Sequence, residues 1–153
     1  MNDSNGDHRI ARFLAYAEAF ETAYATDDWT VLEPFFTPGA TSELNGAVVE
    51  GRGAVIASFR EGVQMFDHRF DSRRMRFIEG PRLEDGAVYI KAAGDYRRDG
   101  LAPLELVGEE WFYFEGDLIQ RHLDRVVNAT TVMEFLGAHA GELRAFEAAQ
   151  ESP

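Results

Sequence analysis

Apolar residues in the first part of the chain recur at spacings of three and four. Ile10, Phe13, Leu14, Ala17, Phe20 and Tyr24 form one such stripe, which predicts an amphipathic helix from Ile10 to Tyr24. Thr26-Asp27-Asp28 interrupts it, and an Asp cap then opens a short second helix, Trp29 to Phe36, with Trp29, Leu32, Phe35 and Phe36 turned inward. Pro34 kinks or ends that helix, because its ring removes a backbone donor. From Ala40 to Glu50, β-like pieces flank Asn45-Gly46, a dipeptide suited to the positive φ of a tight hairpin turn. Val55, Ile56, Phe59, Val63 and Phe66 share one face of a third helix over Arg52 to Phe66.

Beyond Phe66 the period changes from 3.6 to two. Met75 to Glu79, Ala87 to Arg97, Leu104 to Phe114 and Leu118 to Val127 read as four sequential antiparallel strands, with turns at Gly80-Pro81, Asp99-Gly100 and Glu115-Gly116-Asp117. Thr131-Val-Met-Glu134 has the form of a capping box. It opens a terminal helix carrying Val132, Phe135, Leu136, Leu143 and Phe146, interrupted by Gly137 and Gly141. Helices followed by a run of strands imply an α+β domain, with the helices packed on one face of a curved antiparallel sheet. No repeat, low-complexity segment or linker divides the chain. The expectation is one domain over 1–153, with a core at about 10–137, a flexible N-terminus 1–7 and a tail 148–153.

Side chains alternate faces along a strand, so each strand offers two sets. Val88, Ile90, Ala92, Gly94 and Tyr96 are the apolar set of their strand and are expected to face the helices, against Tyr89, Lys91, Ala93, Asp95 and Arg97. On the next strand, Leu106, Gly108, Glu110, Phe112 and Phe114 are more apolar than their alternates but include one carboxylate. The last strand mixes character on both sets, and hairpin parity decides it. A three-residue loop, Glu115-Gly116-Asp117, sets Phe114 opposite Leu118, Glu110 opposite His122 and Gly108 opposite Asp124. A two-residue loop would bring Glu109 and Trp111 to that face instead. The three-residue loop is preferred because it keeps Arg121 and Arg125 out of the concave face. The expected pocket then holds Glu110, Gln120, His122 and Asp124 among Tyr16, Phe20, Phe59, Val63, Tyr96 and Phe112, with Ala92, Gly94 and Gly108 leaving room for a ligand.

Composition narrows the partners. The 153 residues carry 15 Lys+Arg against 27 Asp+Glu, a formal charge of -12, and are 45% hydrophobic. A chain this size closes a core without staples. Phosphate backbones and anionic membrane surfaces both demand clustered positive charge, so neither nucleic acid nor membrane is an expected partner. The short clusters Arg69, Arg73, Arg74 and Arg76, and Arg97 with Arg98, are interleaved with acids. The absence of cysteine excludes thiol catalysis, Cys-based zinc sites and disulfides. The acidic N-terminus is unlike a signal peptide and no apolar run reaches the ~18 residues of a membrane span, so a cytoplasmic protein is expected.

The element order and Glu115-Gly-Asp-Leu-Ile-Gln-Arg-His-Leu-Asp124 together resemble the nuclear transport factor 2-like superfamily, and within it the SnoaL-like polyketide cyclase group beside the ketosteroid isomerases. Gly116, Asp117, Ile119, His122 and Asp124 match the final-strand pattern, with Gly and Asp in swapped order. Trp29, Phe36, Gly51-Arg52-Gly53 and Phe135-Leu136-Gly137 fit it as well. The resemblance, from about Ile10 to Gly137, implies a conical α+β barrel whose sheet wraps three N-terminal helices, a pocket between helices and sheet, and a homodimer formed through the sheet. It does not imply one reaction. Ketosteroid isomerases place a Tyr and an Asp where this chain has Phe20 and Leu44. Epoxide hydrolases of the fold pair the last-strand Asp, here Asp124, with an Arg-x-Asp where this chain has Ala92 and Gly94. The cyclases' last-strand acid/base Asp is matched by Asp124.

A carboxylate and an imidazole two residues apart on one strand face form an acid/base unit. Burial raises the Asp pKa toward neutrality, His titrates there already, and Glu110 opposite them adds a like charge. The same trio also reads as a hydrogen-bonded network in which nothing reacts. Tyr16, Tyr24 and Tyr96 are candidate hydroxyl donors or core residues with satisfied tips. His68 is expected on an exposed loop, and His8 and His139 at the surface. A metal needs three converging ligands, and only His122-x-Asp124 is well spaced, so no metal and no other cofactor is expected. The functional expectation is a cofactor-independent acid/base enzyme, of cyclase, isomerase or dehydratase type, on a small apolar carbonyl or hydroxyl compound. A non-catalytic binding or dimerisation module and an epoxide hydrolase-like activity are the alternatives.

Overall fold

The computed structural model describes residues 4–143, and within them the order of elements follows the hydrophobic pattern closely. Helix α1 spans Ser4–Thr26, a 3-10 segment covers Trp29–Phe35, and strands β1 (Phe36–Leu44) and β2 (Ala47–Glu50) form the hairpin. Helix α2 (Arg52–Met65) and a short 3-10 turn (Asp67–Arg69) lead into β3 (Ser72–Glu84), β4 (Ala87–Arg97), β5 (Leu104–Glu115), β6 (Leu118–Val126) and helix α3 (Ala129–Ala138). The six strands make one mixed sheet in the order β2-β1-β6-β5-β4-β3. Its pairs are antiparallel except β1 with β6, which run parallel. No helix among the described residues is long and apolar enough to cross a membrane.

The local signals explain most boundaries. Asp28 accepts from the Thr30 backbone N–H and caps the 3-10 segment, as its sequence position implies. Asn45 and Gly46 both hold positive φ, 48° and 91°, as a tight hairpin turn requires. Phe36 opens β1 rather than ending the second helix, β3 starts at Ser72 rather than Met75, and four further boundaries differ. Helix α1 begins at Ser4 rather than Ile10, so residues from Ser4 onward are not the flexible arm expected over 1–7. Asp7 sits favourably in its first turn, and His8 and Arg12 bind the side chain and carbonyl of Asp117 in the β5–β6 turn. Gly80-Pro81 is not a turn: β3 runs through it with shifts of register, and the chain reverses at Asp85-Gly86. Helix α3 starts before the Thr131 box, at Ala129, and the side chain of Asn128 before it spans to the Val107 N–H and Glu105 carbonyl of β5 and so caps nothing. It stops at Ala138, and Phe146 and the tail 148–153 lie outside the described residues.

The main core lies between α1, the 3-10 segment, α2 and the concave sheet face. Phe13, Leu32, Phe36, Val55, Val88, Phe112 and Ile119 are the largest of its fully buried side chains. A second cluster of Phe70, Tyr96, Leu104, Val132 and Leu143 closes the other end under α3. Strand β4 is buried on both faces, Tyr89 and Ala93 of the alternate set included. Tyr89 tilts against Trp111, lies under the Arg82 guanidinium and donates to Glu109, so the convex face at β4 has a cover of its own.

Candidate functional site

The hairpin β5–β6 sets the site. Its loop has two residues, with Glu115 opposite Leu118, not the three expected. A two-residue loop alone would have swung His122 and Asp124 to the convex face. Instead the register slips between Tyr113 and Phe114, where Gln120 is the extra residue on β6. That bulge lets Ile119 and His122, of opposite parity, both turn inward, and each is at most 2% exposed. Glu110, Phe112, His122 and Asp124 therefore meet as expected, but with the pairing moved by two and with Ile119 in place of Leu118 turned inward: Glu110 lies opposite Asp124, Phe112 opposite His122, and Gly108 opposite Val126.

On the other side of β6, the parallel strand β1 places Ser42 beside His122 and Leu44 beside Asp124. His122 is held on every side. Its Nδ1 is 2.8 Å from Ser42 Oγ and its Nε2 is 2.7 Å from Glu110 Oε1. Its ring stacks on Phe112 at 4.7 Å between centroids and meets Phe59 edge-on at 5.5 Å. Ser42 is the residue the sequence reading missed. Its signal was the alternation Ala40, Ser42, Leu44, which assigns one face of β1 once that segment is taken as a strand.

A cavity of about 200 Å³ opens against this cluster, lined by Ser42, Leu44, Ala47 and Val49 of the hairpin, Ser58 and Phe59 of α2, and His122 and Asp124 of β6. It therefore lies under the β1–β2 hairpin and not between α1 and β4. Of the residues expected to line a pocket, Phe59, His122 and Asp124 do so. Tyr16, Phe20, Val63, Ala92 and Phe112 are core packing instead. Gly94 leaves no room: a Cβ there would stand 2.7 Å from the Tyr96 ring and 2.9 Å from Met75 Sδ. Over Gly108 lies protein, since a Cβ there would be in ordinary contact with the Arg125 carbonyl at 3.6 Å and Asp124 Oδ1 at 3.7 Å. Gln120, at the bulge, accepts from Thr37.

Three acid/base groups now share one low-dielectric space. Burial pushes the Asp124 carboxyl up to about 7, the charge of Glu110 adds to the rise, and His122 and the Arg125 N–H oppose it. Burial alone would lower His122. The Glu110 hydrogen bond and the charges of Glu110 and Asp124 outweigh it and hold the imidazole above its ordinary 6.5. Tyr16 on α1 is raised well above 10 by burial and then by the charges of Glu110 and Asp124, so its hydroxyl stays protonated beside them. Glu110, His122 and Asp124 bring ligand atoms within 4.8 Å of one another, which supplies the third converging donor that the sequence spacing lacked. In this arrangement His122 Nε2 is engaged by Glu110.

The other candidates form a separate cluster. Asp67 is reached by Arg73 Nε at 3.2 Å and by the Tyr96 hydroxyl at 3.3 Å, while Arg73 pairs with Glu21 and lies 4.0 Å over the Tyr24 ring. Burial pushes Asp67 up to about 6 against the pull of Arg73. His68 is half-buried on the 3-10 turn with its ring 6.4 Å from Tyr24, not on an exposed loop. Tyr24 and Tyr96 thus serve Asp67, and Tyr96 does not line the cavity.

No protein-family model matches the chain, and no curated protein matches it by sequence. Solved structures do match. A protein assigned as a SnoaL-like polyketide cyclase from Jannaschia sp. CCS1 superposes with a TM-score of 0.68 at 17% identity, over 87% of this chain and 94% of that one. A protein assigned as an isomerase from Rhodopseudomonas palustris gives 0.63 at 14% identity, over 82% and 96%. A protein with a ketosteroid isomerase-like fold from Catenulispora acidiphila, in complex with trimethylamine, gives 0.54 at 16% identity, over 71% and 82%. The chain has the fold that these proteins share, the nuclear transport factor 2-like cone of helices against a curved sheet, as the resemblance in its sequence implies.

Proposed function

We propose that this protein transfers protons to and from a small carbonyl or hydroxyl compound bound in the cavity under the β1–β2 hairpin. The observation that carries this reading is that Asp124 and His122 line the same cavity, while Glu110 holds His122 from behind. An acid whose pKa lies near neutrality both gives and takes a proton at modest cost, which is what general acid–base catalysis needs. Asp124 is the proton carrier, His122 the relay, and Glu110 the group that fixes the ring. The names of fold neighbours, one assigned as a cyclase and another as an isomerase, support chemistry of this class.

Cavity size sharpens the substrate. Pockets for drug-sized ligands hold about 300–1,000 Å³, and this one holds about 200 Å³. A compound well below that size fits, whereas a multi-ring polyketide does not fit inside it. The apolar lining of Leu44, Ala47, Val49 and Phe59 favours an uncharged substrate, and no arginine lines the cavity to partner Asp124 as in epoxide hydrolysis.

The test needs no knowledge of the product. Small ketones and enones incubated in D2O report proton transfer through loss of their α-proton NMR signals. The protein is expected to catalyse exchange in at least one of them, and Asp124→Asn to slow it by roughly 10²–10⁴-fold. Folded Asp124→Asn with undiminished exchange, or a ligand retained without exchange, contradicts the proposal.

A further inference from the structure

Ser42, His122 and Glu110 form a line of hydroxyl, imidazole and carboxylate, and we infer that Ser42 is a nucleophile that takes the acyl group of a small ester bound in the same cavity. The inference rests on the reading that this cavity admits substrate and adds a covalent activity to it.

The hydrogen-bond geometry fixes the proton positions. Glu110 as a carboxylate only accepts, so His122 Nε2, 2.7 Å from it, carries a proton. In the neutral ring Nδ1 is then bare, and the Ser42 hydroxyl, 2.8 Å away, donates to it. That is a hydroxyl with its general base in place and the base oriented by a third group. Compared with the usual serine triad the two ring nitrogens have exchanged partners, and the relay of one proton through the imidazole is unaffected. Ser42 sits on β1 directly beside His122 on β6, lines the cavity and is 6% exposed. Asp124 lines the same cavity.

The reaction balances without a cofactor. Ser42 Oγ attacks the acyl carbon as Nδ1 takes the hydroxyl proton. The bond from that carbon to the alcohol oxygen breaks, and His122 returns the proton to the leaving alcohol. Water, losing a proton to the same nitrogen, attacks the acyl-serine, the carbon–Oγ bond breaks, and a carboxylic acid leaves with Ser42 reprotonated.

The charged groups that act on His122 are Glu110 from β5 and Asp124 from β6. Phe59 of α2, Ser42 of β1 and Phe112 of β5 are its neutral neighbours, and Tyr16 of α1 feels the same two carboxylates. Nucleophilicity is therefore expected to rise with pH as His122 loses its second proton.

Methanesulfonyl fluoride tests this directly. It is small enough for the cavity and leaves a stable sulfonyl-serine as fluoride departs. The chain has no cysteine and Lys91 is its only lysine, so competing nucleophiles are few. Intact-mass and peptide analysis is expected to find one methylsulfonyl group on Ser42, with labelling faster at pH 8 than at pH 5.5 and slowed by roughly 10²-fold or more in His122→Asn. Ser42→Cys, the chain's single thiol, is expected to react with iodoacetamide at pH 6 much faster than the same thiol in the His122→Asn background. An unlabelled Ser42, or label scattered over other residues, overturns the inference. If α-proton exchange persists in that protein, the proton-transfer reading stands without it, and if folded protein does neither, both fall.

Discussion

The melting temperature of this protein is expected to fall as pH rises from 5 to 8, and Asp124→Asn is expected to remove most of that slope. An ordinary aspartate titrates at 3.8, whereas Asp124 in the fold titrates at about 7. Above pH 4 the unfolded chain releases that proton while the folded chain keeps it. Each step up in pH to about 7 therefore favours the unfolded state, and the full cost is reached above 7. Asp67 acts in the same direction up to about 6. His122, raised in the fold, contributes stability that is complete below 6.5 and lost as pH climbs through its folded value. Glu109 has the opposite sign: the Tyr89 hydroxyl and Arg125 lower it, so its contribution is lost only at more acid pH and does not compete in this window.

Moving one carboxyl from 3.8 to about 7 corresponds to roughly 4 kcal/mol. For a chain of this length each kcal/mol is about 2–4 °C. Asp124→Asn keeps the shape and removes the charge, so at pH 8 it is expected to melt roughly 8–16 °C above wild type. Near pH 5 the two should agree within a few degrees. Calorimetry across this range decides the matter. A wild-type melting temperature that is flat or rising from pH 5 to 8, unaltered by Asp124→Asn, contradicts the assignment of a buried, protonated carboxyl.

Phe112→Ala is expected to cost about 3–5 kcal/mol and to release the His122 ring. Phe112 is 1% exposed, lies 4.9 Å from Phe13 and 5.5 Å from Tyr16 between ring centroids, and stacks on His122. Few side chains touch both the helical core and the acid/base cluster. Removing it leaves a cavity between α1 and the sheet, which these rigid elements close only in part. Phe112→Leu, which retains much of the volume, is expected to cost under about 1.5 kcal/mol. Urea unfolding with an unchanged slope measures both, and a cost below 1 kcal/mol for Phe112→Ala would show that the stack does not support the fold.

The fold was legible because its signals are redundant. The stripes on α1 and α2, Asn45-Gly46 and the long period-two runs each fix an element alone, and their order fixes the architecture. The trio Glu110, His122 and Asp124 was legible for a less secure reason. A three-residue loop and a two-residue loop followed by a one-residue bulge give the same face parity, so the right residues met through the wrong pairing. A bulge at Gln120 has no local sequence signature: it exists because Ile119 and His122 both gain by burial. The cavity was misplaced for a related reason. Small residues at Ala92 and Gly94 suggest space, but space belongs to whichever neighbour fills it, and Tyr96 and Met75 do so from β4 and β3. The pairing of β1 with β6 joins segments about 80 residues apart, as in Ser42 beside His122. No periodicity within either strand reports it.

Carbon-13 NMR of aspartate-labelled protein reads the central group itself and needs no substrate. The Asp124 carboxyl carbon, assigned through Asp124→Asn, is expected to titrate near 7, and Glu110→Gln is expected to lower that midpoint by removing a neighbouring charge. An Asp124 carboxyl that titrates in the ordinary range near 3.8, indifferent to Glu110→Gln, would contradict the account.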